Sequence, residues 1–487
     1  MEMADLIAGL EAKLVVAEAK MAELVARNQA LEDRIALLEA ELNRNSENSS
    51  KPPSADPVKP RQSRAERRAT AREAGRRQGK QPGAPGANLA RRTPDETITH
   101  APVCCGSCGS DMASAEVVGE VRRQVLEIPE VRVRVTDHVA ERRRCACGHE
   151  TVGTFPPEAR APVCWGPEVR ALAIYLMDRQ HLPLERTAEL LGELLDAPVS
   201  TGWLCAVQQE AAGRLAPFIT TLKDRLGVAP VVHADETGTR VGLTKHWVHT
   251  LSTNLLTLLV VHPRRGVEAL EDIGVLGDYT GTVVHDGWAP YEVFDAATHA
   301  QCGAHLVRHL ASVGATAAFA GWCAEMTRIL LAAKTASEAA AGEGRPRVRP
   351  TTAAALRRRY QSCLDDAFAL LPPGPLPRRR HQGGFDVHQR AAFNLATRLR
   401  EDHDQVLRLL DDTRVRFDNN IAERSLRMVK LHDKISGTFR SEDGATAFAT
   451  LRSYIQTAAL NGHNRLDALH QLFTTGPWLP PRFAGGT

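Results

Sequence analysis

The sequence predicts a multidomain α+β protein: an N-terminal coiled coil, a small zinc-ribbon-like module, a helical segment of helix-turn-helix proportions, and an α/β core interrupted by a long helical insertion. Three observations carry this. A heptad repeat runs unbroken through the first 42 residues, two close cysteine pairs lie 36 residues apart, and a strand, strand, strand, helix, strand pattern spans Val231 to Asp286. At roughly 150 residues per domain, the 487 residues suffice for several domains and a sizeable core. The boundaries follow as 1–44 coiled coil, 45–98 basic linker, 99–155 zinc module, 160–222 helical segment, 228–305 with 415–460 core, 306–414 insertion and 461–487 terminal appendage.

In the first element, one seam runs Ile7, Leu14, Met21, Asn28, Ile35, Leu42, and the other runs from Met3 to Leu38. A single polar Asn28 in an otherwise apolar seam is a device for fixing register and a two-stranded state, so a parallel homodimer is expected. From Asn45 the composition turns to Ser, Pro, Gly and Arg. Between residues 51 and 92, twelve Lys or Arg face three Asp or Glu, a net +9 in a chain whose total is +3. Such a segment buries too little apolar surface to fold alone and suits a phosphate backbone, with Arg64, Arg67, Arg68, Arg72, Arg76 and Arg77 as contacts.

Cys105 and Cys108, then Cys145 and Cys147, flank a stretch from Val121 to Val139 whose alternation reads as strand. Four thiolates in two close pairs suit one structural Zn²⁺, which replaces a core too small to stand alone. The second pair has a single intervening residue, and Cys104 and His149 are alternative ligands. Ten cysteines together with an acidic helical N-terminus and no long apolar run predict a cytoplasmic protein with reduced thiols and no membrane partner. Helices are then expected from Pro167 to about Arg179, from Leu184 to Leu195 with Pro183 at N1, and from Thr201 to Leu215 with Ser200 as N-cap. The last has the place of a recognition helix.

The core is organised around Val231-Val232-His233-Ala234-Asp235 and its near-twin Val283-Val284-His285-Asp286, each an apolar run stopping on a carboxylate. Runs from His246 to Ser252 and Leu255 to His262, then a helix from Gly266 to about Leu276, lie between them. A helical crossover makes the last strand parallel to an earlier one. If that neighbour is the first strand, Asp235 and Asp286 stand side by side. Adjacent carboxylates repel unless a cation lies between them, and hard oxygen ligands suit Mg²⁺ or Mn²⁺. Either aspartate could equally cap a turn. Further on, Asn420 as N-cap with Glu423 three residues later has capping-box spacing.

The Asp235-Glu-Thr sequence, Asp286-Gly-Trp288-x-x-Tyr291, Cys302-x-x-His305-x-x-Arg308 and Asp418-Asn-Asn-x-x-Glu423-Arg-x-x-Arg427 together resemble the insertion sequence 66 family of bacterial transposases. The resemblance runs through most of the chain. It implies a DDE-type enzyme with an RNase H-like core, Asp235, Asp286 and Glu423 as catalytic and metal-binding triad, and two Mg²⁺ or Mn²⁺ ions per site. It also implies cleavage at element ends, strand transfer of the 3′-hydroxyl into target DNA, nucleoid association, and companion proteins of the same element as potential partners. Trp288 and Tyr291 would lie beside the metals, stacking on a base or anchoring the core. Cys302 and His305 are expected to be structural, and Arg427, Lys430 and Lys434, with Arg440, to form a basic flank for DNA. Two other classes compete: a DNA-binding regulator, and a nuclease or resolvase that cuts without joining.

Overall fold

The computed structural model describes residues 89–129, 131–371 and 387–481, together with Lys20. The coiled-coil seam and the six linker arginines at 64–77 lie outside these residues. The chain divides into two compact units, Pro57–Val133 and the remainder.

The central sheet has five strands in the order β5-β4-β3-β6-β7: β3 Val231–Val241, β4 Thr244–Ser252, β5 Thr257–His262, β6 Thr282–His285 and β7 Thr298–Gln301. The first three form an antiparallel meander. Helix α5, Val267–Ile273, then carries the chain across to β6, which runs parallel to β3, and β7 continues parallel to β6. In this sheet β6 is buried along its whole length and β3 through its first four residues, as expected of runs covered on both faces.

Two features depart from the sequence expectation. Strand β3 does not stop at Asp235 but runs on to Val241, because Thr237 to Val241 pair with β4 as one long hairpin. Strand β7 lies where no strand is expected, since Thr298-His-Ala-Gln has neither alternation nor a β-branched run; it exists because β6 offers it a parallel ladder.

On the sheet lie α11, Asn420–Ile435, which crosses β3 and β4, and α12, Glu442–Leu460, which covers β5. Val241, Val248, Leu259, Leu426, Val429 and Phe448 close the core between them. Helix α12 also finishes the sheet's edge. Its Thr457 hydroxyl accepts from the Thr257 N–H at 3.1 Å and donates to the Thr257 carbonyl at 3.2 Å, and its Ser453 hydroxyl accepts from the Leu259 N–H at 2.8 Å. An edge strand's outward N–H groups are thus satisfied by side chains of a helix.

Helices α1 (Pro167–Ile174, continued by a π-turn over Tyr175–Arg179), α2 (Leu184–Leu195), α3 (Thr201–Arg214) and α4 (Ala216–Gly227) precede the sheet. Ser200 caps α3 through the Trp203 N–H, as expected, whereas Pro183 takes the N-cap position of α2 rather than N1. Helix α3 buries Leu204, Val207 and Ala211 and packs on α12 and α1, leaving Gly202, Cys205, Ala206 and Gln209 outward with no basic residue before Arg214. Helix α13, Arg465–Thr474, packs on α1 and is part of this body rather than a terminal appendage.

The insertion comprises α6 Gly303–Gly314, α7 Ala320–Gly342, α8 Pro350–Ala369, α9 Val387–Glu401 and α10 His403–Val406, around a core including Trp322, Met326, Tyr360 and Leu399. Its two ends are stitched together. Gly303 donates its N–H to the Phe417 carbonyl at 2.8 Å, and a Cβ at 303 would fall 2.2 Å from the Phe417 ring, so only glycine allows this approach. The Asn419 N–H donates to Cys302 Sγ at 3.3 Å, 117 residues away.

In the cysteine region the expected strand from Val121 to Val139 is not found among the described residues of that stretch. Val121, Val125, Val135 and Val139 are exposed, because an alternating run without a partner strand has nothing to cover its apolar face. Among the described residues of this region, strand pairing consists of a short hairpin, β1 Arg142–Arg144 with β2 Glu150–Val152, and an isolated antiparallel bridge between Cys104 and Asp111.

Candidate active site

The register of β3 on β6 pairs Val231 with Thr282, Val232 with Val283 and His233 with Val284. Continued by two residues, it sets Asp235 level with Asp286, just where the ladder ends. Asp286 begins a tight turn, its Oδ1 accepting from the Trp288 N–H at 2.9 Å, and Gly287 sits at φ +86°. Glu423 arrives on the first turn of α11.

That helix start is held by Asn419, the middle residue of Asp418-Asn-Asn, for which the sequence alone suggests no role. Asn419 is fully buried, its Nδ2 donating to the Ala234 carbonyl at 2.8 Å and its Oδ1 lying 2.9 Å from His233 Nδ1. The amide therefore ties the backbone beside Asp235 to the helix presenting Glu423. The expected capping box is not made: Asn419 is the N-cap, and the Glu423 carboxylate turns to the guanidinium groups of Arg308 and Arg427, each at 3.4 Å, with His305 Nε2 3.9 Å away. His305 thus borders the site. Cys302 stays structural, its thiol buried beneath α11 and pushed up to about 11 by that burial.

Burial raises the Asp235 carboxyl well above the usual carboxylate range, and the charges of Glu236, Asp286 and Glu423 push it further. Three acidic side chains therefore share one field at Asp235. Among the described residues no three His, Cys, Asp or Glu groups stand in metal-holding geometry, consistent with Glu423 being drawn to its arginines. The donor set nonetheless fits a hard divalent cation: oxygen ligands only, with their mutual repulsion uncompensated at Asp235.

Glu236 has a different task. Its carboxylate accepts from Arg265 at 2.6 Å and from the Tyr291 hydroxyl at 2.7 Å. Tyr291 is buried and packs on His285, with ring centroids 5.1 Å apart, so of its two readings it is a core anchor and not a base-stacking surface. Trp288 is half-buried, with the Arg265 guanidinium 4.2 Å above its ring.

Asp235 and Glu423 line a cleft of about 860 Å³, whose wall is formed by α11. Arg427 and Lys434 on that wall are exposed, seven residues apart and hence on one face. Lys430 faces the cleft too, but its ammonium donates to the Gly238 carbonyl and burial lowers its pKa, so it fastens α11 to β3 instead of offering a free charge. Arg308 adds a cation from α6.

Each cysteine pair sits on a tight turn. The Cys105 carbonyl accepts from the Gly109 N–H, and Cys108 is pulled down to about 7, chiefly by the hydrogen bond with the Ser110 hydroxyl. The Cys145 carbonyl accepts from the Gly148 N–H, closing the β1-β2 hairpin, and bonds from Cys147 pull the Cys145 thiol down. Cys105 and Cys108 belong to one compact unit, Cys145 and Cys147 to the other.

Family models match several parts of the chain. A model of the zinc-finger binding domain of transposase IS66 matches residues 102–148, and a family of unknown function (DUF6444) matches 9–90. The uncharacterized protein y4qI of Sinorhizobium fredii is 39% identical over 67 residues, a match covering 14% of this chain and 12% of that protein. The model described as transposase IS66 family matches residues 162–447, through the helices, the sheet, the insertion and all three candidate carboxylates, and the chain therefore belongs to the transposase IS66 family.

Proposed function

We propose that the protein is a DNA transposase that cleaves element ends and joins the freed 3′-hydroxyl to target DNA, with Asp235, Asp286 and Glu423 as its catalytic carboxylates. The observation that carries this is the cleft lined by Asp235 and Glu423 together with Arg308, Arg427 and Lys434. Its scaffold, three antiparallel strands followed by two parallel ones in the order β5-β4-β3-β6-β7, supports an RNase H-like core. When bound, a pair of Mg²⁺ or Mn²⁺ ions would activate the attacking oxygen and stabilise the leaving one. Asp235 and Asp286 supply the oxygens to hold them, and Glu423 completes the set or orients the water. Arg308 and Arg427 compensate the scissile phosphate's charge. Water adds to the phosphorus and the element's 3′-oxygen leaves as a hydroxyl; that hydroxyl then attacks a target phosphodiester and expels a target 3′-hydroxyl.

The same reading takes Cys105, Cys108, Cys145 and Cys147 as ligands of one Zn²⁺. The N-terminal heptads act as a dimerisation element, and the basic linker tracks phosphates at the nucleoid. No described helix is long and apolar enough to cross a membrane.

A strand-transfer assay with labelled terminal DNA tests the proposal. Asp235→Asn, Asp286→Asn and Glu423→Gln keep shape and remove charge, so each is expected to abolish cleavage and joining while end binding persists. Asp418→Asn is the control, because its Oδ1 serves the Asn420 N–H. Cleavage without joining would make the protein a nuclease or resolvase. Binding with full indifference to Asp235→Asn would make it a regulator.

A further inference from the structure

The turn that carries Asp286 is held from outside the sheet. Arg398, on α9 of the insertion, donates from Nη2 to the Asp286 carbonyl at 3.0 Å and from Nε to Gln301 Oε1 at 3.0 Å. Gln301 ends β7, is buried, and donates to Asp402 Oδ2 at 2.6 Å. One guanidinium thus spans the C-terminal ends of β6 and β7, and its second partner is anchored back to the insertion. Helix α9 itself is fixed, since Leu395, Ala396 and Leu399 are core residues of the insertion and the Leu399 carbonyl accepts from the buried Tyr360 hydroxyl at 2.6 Å.

Position 287 shows how closely the guanidinium is fitted. A Cβ there would lie 2.7 Å from Arg398 Nη2 and 2.9 Å from its Cζ, and φ is +86°, so glycine is required by backbone shape and by Arg398 together. The charge sits in the same field as the site: Asp286 is the strongest electrostatic influence favouring the charged form of Arg398, and Arg398 in turn disfavours protonation of His305 and His309.

We infer that Arg398 is a positioning residue for Asp286: by bonding the Asp286 carbonyl and filling the space over Gly287 it fixes the turn that aims this carboxylate, which makes the helical insertion part of the catalytic centre. The inference rests on Asp286 being a metal ligand. A guanidinium suits the task because its planar fork holds two acceptors at once, which a lysine ammonium on a flexible stem does not reproduce. Groups that orient metal ligands typically contribute roughly 10- to 100-fold to metal affinity.

Mn²⁺ binding to the full-length protein, followed by the spectroscopic signal of the free ion, tests this alongside the Mg²⁺ dependence of end cleavage. Arg398→Gln is expected to weaken Mn²⁺ binding roughly 10- to 100-fold and to raise the half-saturating Mg²⁺ concentration in parallel, with excess Mg²⁺ recovering much of the rate. Arg398→Lys should fall between Arg398→Gln and the natural protein. Gly287→Ala perturbs the same contact from the other side, so it should shift metal dependence in the same direction, and it serves if Arg398→Gln does not fold. Asp286→Asn separates the premise from the inference. If it binds Mn²⁺ as the natural protein does, Asp286 is not a ligand and the underlying reading fails. If Asp286→Asn loses the metal while Arg398→Gln and Gly287→Ala keep the natural affinity and half-saturation, the positioning role is overturned, even should their melting temperatures fall.

Discussion

Replacing Asn419 with alanine is expected to loosen the active site from within. The side chain makes two buried polar contacts, 2.8 Å to the Ala234 carbonyl and 2.9 Å to His233 Nδ1, and no solvent reaches it. Truncation leaves both partners without a bond in a dry place, at about 1–3 kcal/mol each, so about 2–6 kcal/mol together. At about 1.4 kcal/mol per factor of ten, protection of the β3 amides near Ala234 against hydrogen exchange should fall roughly 30- to 20,000-fold. The remote helical insertion should hold its protection, because its own core contains none of these atoms. Asn419→Asp keeps the volume but turns a carboxylate oxygen towards the Ala234 carbonyl, so it should do no better than alanine. Cleavage should drop in both variants, since Glu423 then rides on a helix start no longer tied to Asp235. Unchanged protection in β3, or an equal loss across the chain, would refute the idea that this amide couples strand to helix.

Asp178 is fully buried with Gln208 at 2.8 Å, and burial lifts its carboxyl to about 7. A raised carboxylate favours the folded state at low pH and loses that contribution as pH rises from about 4 through 7, a span worth up to ~4 kcal/mol; Asp178→Asn should therefore melt higher than the natural protein at pH 8.5 and differ little at pH 4, and the reverse order would sink the argument. The purified full chain should carry one Zn²⁺ by elemental analysis, with Cys108→Ser losing it and Cys104→Ser keeping it; zinc retained in Cys108→Ser would reassign the ligands. Asn28→Ile should stabilise the N-terminal segment and loosen its two-stranded state, and a peptide of residues 1–45 sedimenting as a monomer at tens of micromolar would exclude the dimer. Deleting residues 51–92 should flatten the dependence of log DNA affinity on log salt by about 0.9 for each phosphate the segment neutralises, and an unchanged slope would leave the segment a spacer.

What could be read in advance follows the range of the forces involved. Helix α2 was legible to the residue, and β4, β5 and β6 to within about two, because apolar period and punctuation by Gly, Pro and Ser are local. The side-by-side placement of Asp235 and Asp286 followed from one crossover rule. The far end of β3, the existence of β7 and the failure of Val121 to Val139 to pair depend on which strand lies alongside, which no local window contains. Glu423 had capping-box spacing, yet Arg308 and Arg427 outcompete the backbone for it, and Arg308 comes from a helix beyond the sheet. Asn419 stood in plain view within Asp418-Asn-Asn. Arg398 had no signal at all, being one arginine among several on an ordinary amphipathic helix.

The hydroxyls of Ser453 and Thr457 that seal the outer strand come late in the chain, nearly 200 residues after the backbone they satisfy. During synthesis the β3-β4-β5 meander emerges long before α12, and for that interval β5 presents unanswered N–H groups to any passing strand. A frameshift or stop codon anywhere in the insertion would make this condition permanent: such a fragment would keep the amino-terminal segments, lack Glu423, and carry an open sheet edge prone to self-association. Loss of the last hundred residues is therefore expected to yield insoluble protein cleared by proteolysis, so that truncated copies of the gene would leave little product to compete with the intact enzyme for DNA.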